Sequence, residues 1–244
     1  MKILLMCDGP VGNSIAEWLL KHYPNDIGAL VVLKELPAYT IARKNKTPYI
    51  IFESETQLQK DLCGLGPFDL GVLAWWPKIL THSMLKLTSG GFINTHPSLL
   101  PYNRGKNYNF WALVEESPFG VSLHYVDEGI DNGDIISQSK ISYTWEDTGE
   151  TLHSKASSAM VELFKETYPK IRSSTIPRVA QDRNKGSFHY AKEIDLASKI
   201  DLNKNYSARE LINLLRARTF TGYPSCYFED DGKAYEITVN IKRK

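Results

Sequence analysis

Ile27-Gly28-Ala29-Leu30-Val31-Val32-Leu33 is a run of seven residues without a polar side chain, bounded by Asp26 and Lys34. A run of that length reads as a strand covered on both faces, the condition of a strand inside a parallel sheet. Lys2-Ile3-Leu4-Leu5-Met6 on one side of it, and Thr47–Ile51 and Leu70-Gly71-Val72-Leu73-Ala74-Trp75 on the other, continue the series. Helix-like stretches lie between them, near residues 12–22, 39–46 and 53–63. Strand and helix alternating at this spacing predict right-handed βαβ crossovers and an α/β, Rossmann-like, doubly wound and mostly parallel sheet.

Further along, Gly90–Asn94 reads as another strand and Lys106–Glu116 as a helix. Gly120–Val126 and Asp134–Ile141 read as two strands paired across a loop. A long helix follows over about residues 148–172, with Pro169 ending or kinking its last turn. Turn formers and charges at 173–177 and 181–186 predict a linker. Beyond it, Ser207-Ala208-Arg209-Glu210 has the pattern of a capping box for a helix reaching Arg218. Tyr223–Phe228 and Lys233–Ile241 flank an acidic turn ending in Gly232, which predicts a hairpin. The expected division is a main domain over 1–180 and a small C-terminal α+β subdomain, helix plus hairpin, over 181–244.

The 244 residues carry 29 Lys+Arg against 28 Asp+Glu, a net charge of +1, with 42% hydrophobic and 23% charged residues. Such a chain buries a core, and its balance removes the bulk electrostatic case for a nucleic-acid or membrane-surface partner. Cys7, Cys63 and Cys226 are scattered and odd in number, so they read as reduced thiols, with neither a disulfide framework nor a metal site. The apolar run at the start, about six residues long, is too short for a secretory signal. A soluble, cytoplasmic protein is expected.

Asn94-Thr95-His96-Pro97-Ser98-Leu99-Leu100-Pro101 is the sharpest local feature. Asn94 and His96, two apart on an extended segment, share one face, at the carboxyl edge where open α/β sheets bind ligands. A histidine at a strand end serves structure as readily as catalysis, and residue types alone leave the two level. Asp127-Glu128-Gly129-Ile130-Asp131-Asn132-Gly133-Asp134 places four carboxylates in eight residues. It lacks the regular ligand series of a calcium loop. One carboxylate could set the tautomer of a histidine elsewhere, and spacing does not separate Asp131 from Asp134. Arg104 and Lys106 stand at an expected helix start, suited to an anion or to plain surface charge. Gly9-Pro10-Val11-Gly12 is a weak match to a nucleotide loop. Trp75-Trp76-Pro77 reads as core or as a flat ligand platform, with core the better reading for Trp75. His22, His82, His153 and His189 read as structural or surface, and His124 as oriented by packing, with a place near the site open to it.

Taken together, HPSLLP preceded by Asn94-Thr95, and GVSLHYVDEGIDNGDIISQ about 25 residues on, resemble the 10-formyltetrahydrofolate-dependent formyltransferases, over about residues 65–170. The resemblance implies the fold of that family and a catalytic trio of Asn94, His96 and Asp131. It places the pterin of the co-substrate against Lys78-Ile79-Leu80 and against the loop containing Glu128, Ile130 and Asp131, with no metal. Trp75-Trp76-Pro77-Lys78, Tyr102–Tyr108 and Phe220-Thr221-Gly222-Tyr223-Pro224 look most like the sugar N-formyltransferase branch. Enzymes acting on dTDP-4-amino-4,6-dideoxyglucose for O-antigen and other surface polysaccharides are the nearest in appearance. By the same resemblance Trp76, Lys78, Tyr102, Arg104, Lys106, Asn107 and Tyr223 contact the nucleotide-sugar, and the C-terminal piece forms a homodimer. Methionyl-tRNA and glycinamide ribonucleotide are the alternative acceptors. The short tail and near-zero charge are expected to weigh against RNA. A nucleotide-binding module without catalysis is the alternative of another class.

Overall fold

The computed structural model describes residues 1–182 and 184–244. Arg183, inside the expected linker, lies outside the described residues. The first elements in chain order are β1 (Ile3–Cys7), α1 (Gly9–His22), β2 (Ile27–Val32), α2 (Tyr39–Lys44), β3 (Tyr49–Ile51), α3 (Glu55–Asp61), β4 (Leu70–Ala74), α4 (His82–Leu85) and β5 (Phe92–His96). They are followed by β6 (Arg104–Gly105), α5 (Tyr108–Val114), β7 (Gly120–Tyr125), β8 (Ile135–Lys140), α6 (Gly149–Arg172), β9 (Phe188–His189), α7 (Glu193–Ala197), α8 (Ala208–Arg218), β10 (Cys226–Asp230) and β11 (Lys233–Ile237).

Seven strands make one sheet in the order β3-β2-β1-β4-β5-β7-β8. Strands β1 to β5 pair in parallel, and β7 runs antiparallel to β5. The expected α/β, mostly parallel sheet is what the chain forms. Successive strands leave β1 in opposite directions, to β2 on one side and β4 on the other, so the strand order reverses there. The chain divides into two compact units. One comprises Met1–His96, Ser122–Ser137 and Met160–Ala180, the other Pro97–Val121, Gln138–Ala159 and Gln181–Lys244.

In the first unit every residue of β1, β2 and β4 is buried, as the apolar runs require. Leu4, Met6, Ala29 and Val31 join Leu58, Leu62, Met84 and Phe92 in one apolar cluster. Each fully buried Leu or Phe stabilises the fold by about 1.5–3 kcal/mol. Gly71 is required by this packing, because a Cβ there would collide with the Phe92 ring. On α1 the buried residues Val11, Ile15, Ala16 and Leu19 follow helical spacing, and Trp18 meets Phe164 and Tyr168 of α6 edge to face. Buried Asp26 accepts hydrogen bonds from Tyr168 Oη (3.0 Å) and Arg172 Nε (2.8 Å), fixing the end of α6 to the start of β2. That helix ends three residues after Pro169.

In the second unit, Ser207 and Glu210 form the expected capping box on α8. The hairpin β10–β11 turns through Asp231 and Gly232, both with positive φ (45° and 72°), a geometry that favours glycine. One element was not expected and one boundary needs correction. Just beyond the expected linker, Phe188 and His189 form β9 and pair with Arg104 and Gly105. The helix expected from Lys106 begins at Tyr108, because Asn103, Gly105 and Asn107 all adopt positive φ (51°, 87° and 59°) and break the helical path. Cys7 and Cys226 are buried, which pushes both thiols up to about 12 and leaves them protonated. Among the described residues no helix is long and apolar enough to cross a membrane.

Replacing Gly71 by alanine should lower unfolding stability by about 1–3 kcal/mol, the usual cost of overpacking a rigid core. Urea denaturation reads it; an unchanged midpoint would show that Phe92 can move aside.

Candidate active site

Three residues at the end of β5 are sorted by the alternation of a strand. Thr95 turns to one face, donates to the carbonyl of Leu73 (3.1 Å) and accepts from the amide of Trp75 (2.9 Å), tying β5 to the end of β4. Asn94 and His96 therefore share the opposite face. Antiparallel pairing sets Asn94 directly across from His124 of β7. Asn94 Nδ2 lies 3.2 Å from His124 Nε2, and His124 Nδ1 lies 2.8 Å from the carbonyl oxygen of Tyr125.

The loop between β7 and β8 returns Asp131 to this face. Its Oδ2 is 3.4 Å from His96 Nδ1 and its Oδ1 is 3.7 Å from His124 Nε2. Asp131 holds a left-handed φ of 53°, a strained conformation for a residue other than glycine and of the kind found at functional sites. Gly133 is indispensable to the return, since a Cβ there would collide with the Tyr125 carbonyl. Asp134, which spacing could not separate from Asp131, instead pairs with Arg178 (3.4 Å). The Arg178 guanidinium also lies 3.9 Å from the centre of the Tyr125 ring.

His96 is only 5% exposed, and its Nε2 is buried without a hydrogen-bond partner. A buried polar atom left unsatisfied costs about 1–3 kcal/mol unless something else supplies the bond, and such atoms mark places where a ligand completes the structure. His124 is deeper still, at 2%. Burial first, and then the neighbouring His96 charge, push its imidazole down to about 4, so the ring is neutral at neutral pH. Among the described residues no group of three or more His, Cys, Asp or Glu could hold a metal ion.

Elsewhere in the first unit, Ile79 and Ile130 are 79% and 43% exposed, apolar side chains on the two segments expected to hold the pterin. Leu80 is half-buried against the apolar cluster, Glu128 is exposed, and Lys78 Nζ sits 5.6 Å from the Phe52 ring. Trp76 is the buried tryptophan and Trp75 the half-buried one, the reverse of the expectation. The φ of 59° at Trp75 interrupts the alternation at the end of β4 and swaps the two. Trp76 packs edge to face on Phe52, with its indole N–H buried and unpartnered.

Tyr102, Arg104, Lys106, Asn107 and Tyr223 all belong to the second unit. Arg104 and Lys106 are held by backbone bonds to Ser187 and His189, and Asn107 Nδ2 donates to the carbonyl of Ala191 (3.2 Å). Tyr223 is 63% exposed beside Phe220. His189 is no idle surface residue: it bonds Glu115 (2.7 Å) and Glu193 (3.0 Å) and stacks on Trp111 at 3.8 Å. Sequence reasoning undervalued His124 and missed Arg178. The signal for His124 was its inward position on β7; Arg178 had none, because it acts through a turn that brings Val179 beside Ile135.

The chain resembles known proteins in sequence and in fold. The family model for "Formyl transferase" matches residues 29–167, and that for the "N-formyltransferase dimerization C-terminal domain" matches residues 193–243. The chain belongs to the formyl transferase family. A methionyl-tRNA formyltransferase of Thermodesulfovibrio yellowstonii is 38% identical over 160 residues, 64% of this chain and 50% of the relative. The chain thus spans about half the length of the relatives it matches in sequence. A 4-N formyltransferase from Francisella tularensis has the same fold, with a TM-score of 0.81 at 24% identity, covering 100% of this chain and 98% of that one. An N-formyltransferase from Helicobacter canadensis, solved with folinic acid and dTDP-3-aminofucose, gives 0.75 at 20% identity, covering 95% and 85%.

The neutral state of His124 has a consequence for stability. Its folded value lies below the ordinary 6.5, so the unfolded chain binds the proton first. Stability should fall as the pH drops from about 6.5 through about 4, by up to roughly 3 kcal/mol from this group. Urea midpoints of wild type and His124→Gln across that range should converge at low pH; parallel curves would contradict it.

Proposed function

We propose that this protein is an N-formyltransferase that moves a formyl group from 10-formyltetrahydrofolate to the amine of a dTDP-linked amino-dideoxysugar. The foremost candidate is dTDP-4-amino-4,6-dideoxyglucose, a precursor for O-antigen or other surface polysaccharide. One observation carries the chemistry: Asp131 faces His96 Nδ1 at 3.4 Å while Nε2 is buried and unpartnered, on the strand face that also carries Asn94.

Bound 10-formyltetrahydrofolate supplies a formyl group already activated on N10. The residues do the rest. With Nδ1 donating to Asp131, a neutral His96 presents a lone pair at Nε2 and receives the proton shed by the attacking amine. Asp131 holds the resulting imidazolium, which returns the proton towards the leaving nitrogen. The Asn94 amide donates to the oxyanion that develops on the formyl oxygen, a contribution of about 3–4 kcal/mol for one well-placed donor. The exposed side chains of Ile79 and Ile130 offer the apolar surface that a pterin needs.

The nucleotide-sugar reading is supported by the match of residues 193–243 to the N-formyltransferase dimerization domain and by the likeness to 4-N and sugar N-formyltransferase structures. On this reading residues 1–180 form the catalytic domain, residues 181–244 join two copies, and the protein works in the cytoplasm. Trp76 and Lys78, together with Tyr102, Arg104, Lys106, Asn107 and Tyr223, recognise the acceptor. Methionyl-tRNA is the second reading, favoured by the names of the sequence relatives.

Thermal-shift titrations with dTDP-, UDP- and GDP-sugars, glycinamide ribonucleotide and tRNA separate the acceptors. A Tm increase with dTDP-sugars alone is expected, and a response to tRNA alone would overturn the sugar assignment. His96→Asn and Asp131→Asn should each lower kcat at least about 100-fold with unchanged urea midpoints; near-wild-type turnover in both would refute the assigned roles.

A further inference from the structure

Tyr125 offers His124 Nδ1 a backbone carbonyl at 2.8 Å. A carbonyl oxygen only accepts, so Nδ1 must carry the proton. The ring is buried to 2% exposure and neutral, which leaves Nε2 with a lone pair and no hydrogen. That lone pair meets the Asn94 side chain at 3.2 Å. A carboxamide presents an oxygen on one side and an amino group on the other, and only the amino group can bond a lone pair. The orientation of Asn94 therefore follows from the proton on His124, independently of how its two side-chain atoms are distinguished. Asp131 Oδ1, at 3.7 Å from the same nitrogen, is beyond hydrogen-bond length and does not compete. The other oxygen of the carboxylate lies 3.4 Å from His96 Nδ1.

We propose that His124 is a positioning residue for formyl transfer: its unprotonated Nε2 holds one N–H of Asn94 and so presents the second N–H to the oxygen of the reacting formyl group. The proposal rests on the formyl-transfer reading of Asn94, His96 and Asp131 and adds a fourth member with a defined tautomer. Two imidazoles divide the work on one sheet face. His96 Nδ1 faces a carboxylate at 3.4 Å, whereas His124 Nδ1 donates to a backbone carbonyl at 2.8 Å. The carbonyl holds His124 in one tautomer, with its Nε2 turned to Asn94. The pairing of Asn94 with His124 across β5 and β7 makes the orientation a property of the sheet, so it is set before any ligand arrives.

Two measurements test this. In 15N-histidine-labelled protein without ligand, NMR should show His124 protonated at Nδ1 and bare at Nε2 from about pH 6 to pH 8; a protonated Nε2 overturns the proposal, whatever the acceptor. In steady-state assays with 10-formyltetrahydrofolate and dTDP-4-amino-4,6-dideoxyglucose, His124→Leu, which removes the acceptor atom, should lower kcat about ten- to a hundredfold while KM for each substrate stays within about threefold. His124→Gln, which keeps an acceptor oxygen, should recover most of the loss. Equal impairment of both variants, or wild-type kcat in His124→Leu, overturns the proposal. Inactivity of the wild type on this pair would count against the sugar reading alone, because the NMR measurement needs no acceptor.

Discussion

The antiparallel pairing of β7 with β5 is the constraint on which the site depends. In a sheet built otherwise of parallel neighbours up to β5, this pair sets Asn94 opposite His124 and His96 opposite Ser122. Cross-strand neighbours have Cβ atoms about 5 Å apart, so two polar side chains are brought together by backbone hydrogen bonds. A parallel strand here would have needed a long crossover, whereas an antiparallel one is followed directly by the loop that carries Asp131 back. A register slip of one residue would turn Asn94 and His96 to the opposite face. The Thr95 bonds to the Leu73 carbonyl and the Trp75 amide hold the register from the other side.

Burial then decides what these groups can be. In low dielectric a charged imidazole needs a counter-charge close by, and for His124 burial outweighs the pull of Asp131 and Asp127. Asp131 lies nearer His96, at 3.4 Å, and His124 is neutral with its Nδ1–H donated to the Tyr125 carbonyl. The polar cluster is therefore asymmetric by construction. The left-handed φ of Asp131 is a cost of bringing the carboxylate to that point, and the backbone pairing at each end of the loop offsets it. Tyr125 binds Asp134 by its amide at 2.9 Å, and Val179 clasps Ile135.

The sheet was legible because its signal is dense: β1, β2 and β4 are buried on both faces, and their sequences contain almost nothing but apolar residues. The capping box at Ser207 was legible because both of its side chains act on adjacent backbone. Asn94 and His96 could be seen to share a face from their spacing alone. The choice between Asp131 and Asp134 could not be read so, since it depends on how a loop with a positive φ folds back. The swap of Trp75 and Trp76, the late start of α5 and the strand at Phe188-His189 escaped for a related reason. Each is set by residues in left-handed conformation, or by pairing between segments more than 80 residues apart, and neither leaves a periodic trace.

Where the polar groups stand in the fold also bears on how one family can serve different acceptors. Asn94, His96, His124 and Asp131 are supported by paired strands and by a loop anchored at both ends. Groups on such supports keep their geometry to the few tenths of an ångström that proton transfer and oxyanion binding require. Tyr102 to Asn107, the segment proposed for the nucleotide-sugar, runs through three residues of positive φ and is fastened to Ser187, His189 and Ala191. A connection of this kind tolerates changes of length and sequence that a buried strand cannot. On the proposed reading the reacting groups stand on strands and the recognition groups on a connecting segment, an arrangement that would let one sheet serve more than one acceptor. On that reading the acceptor is decided by the loop residues, and the strands alone do not reveal it.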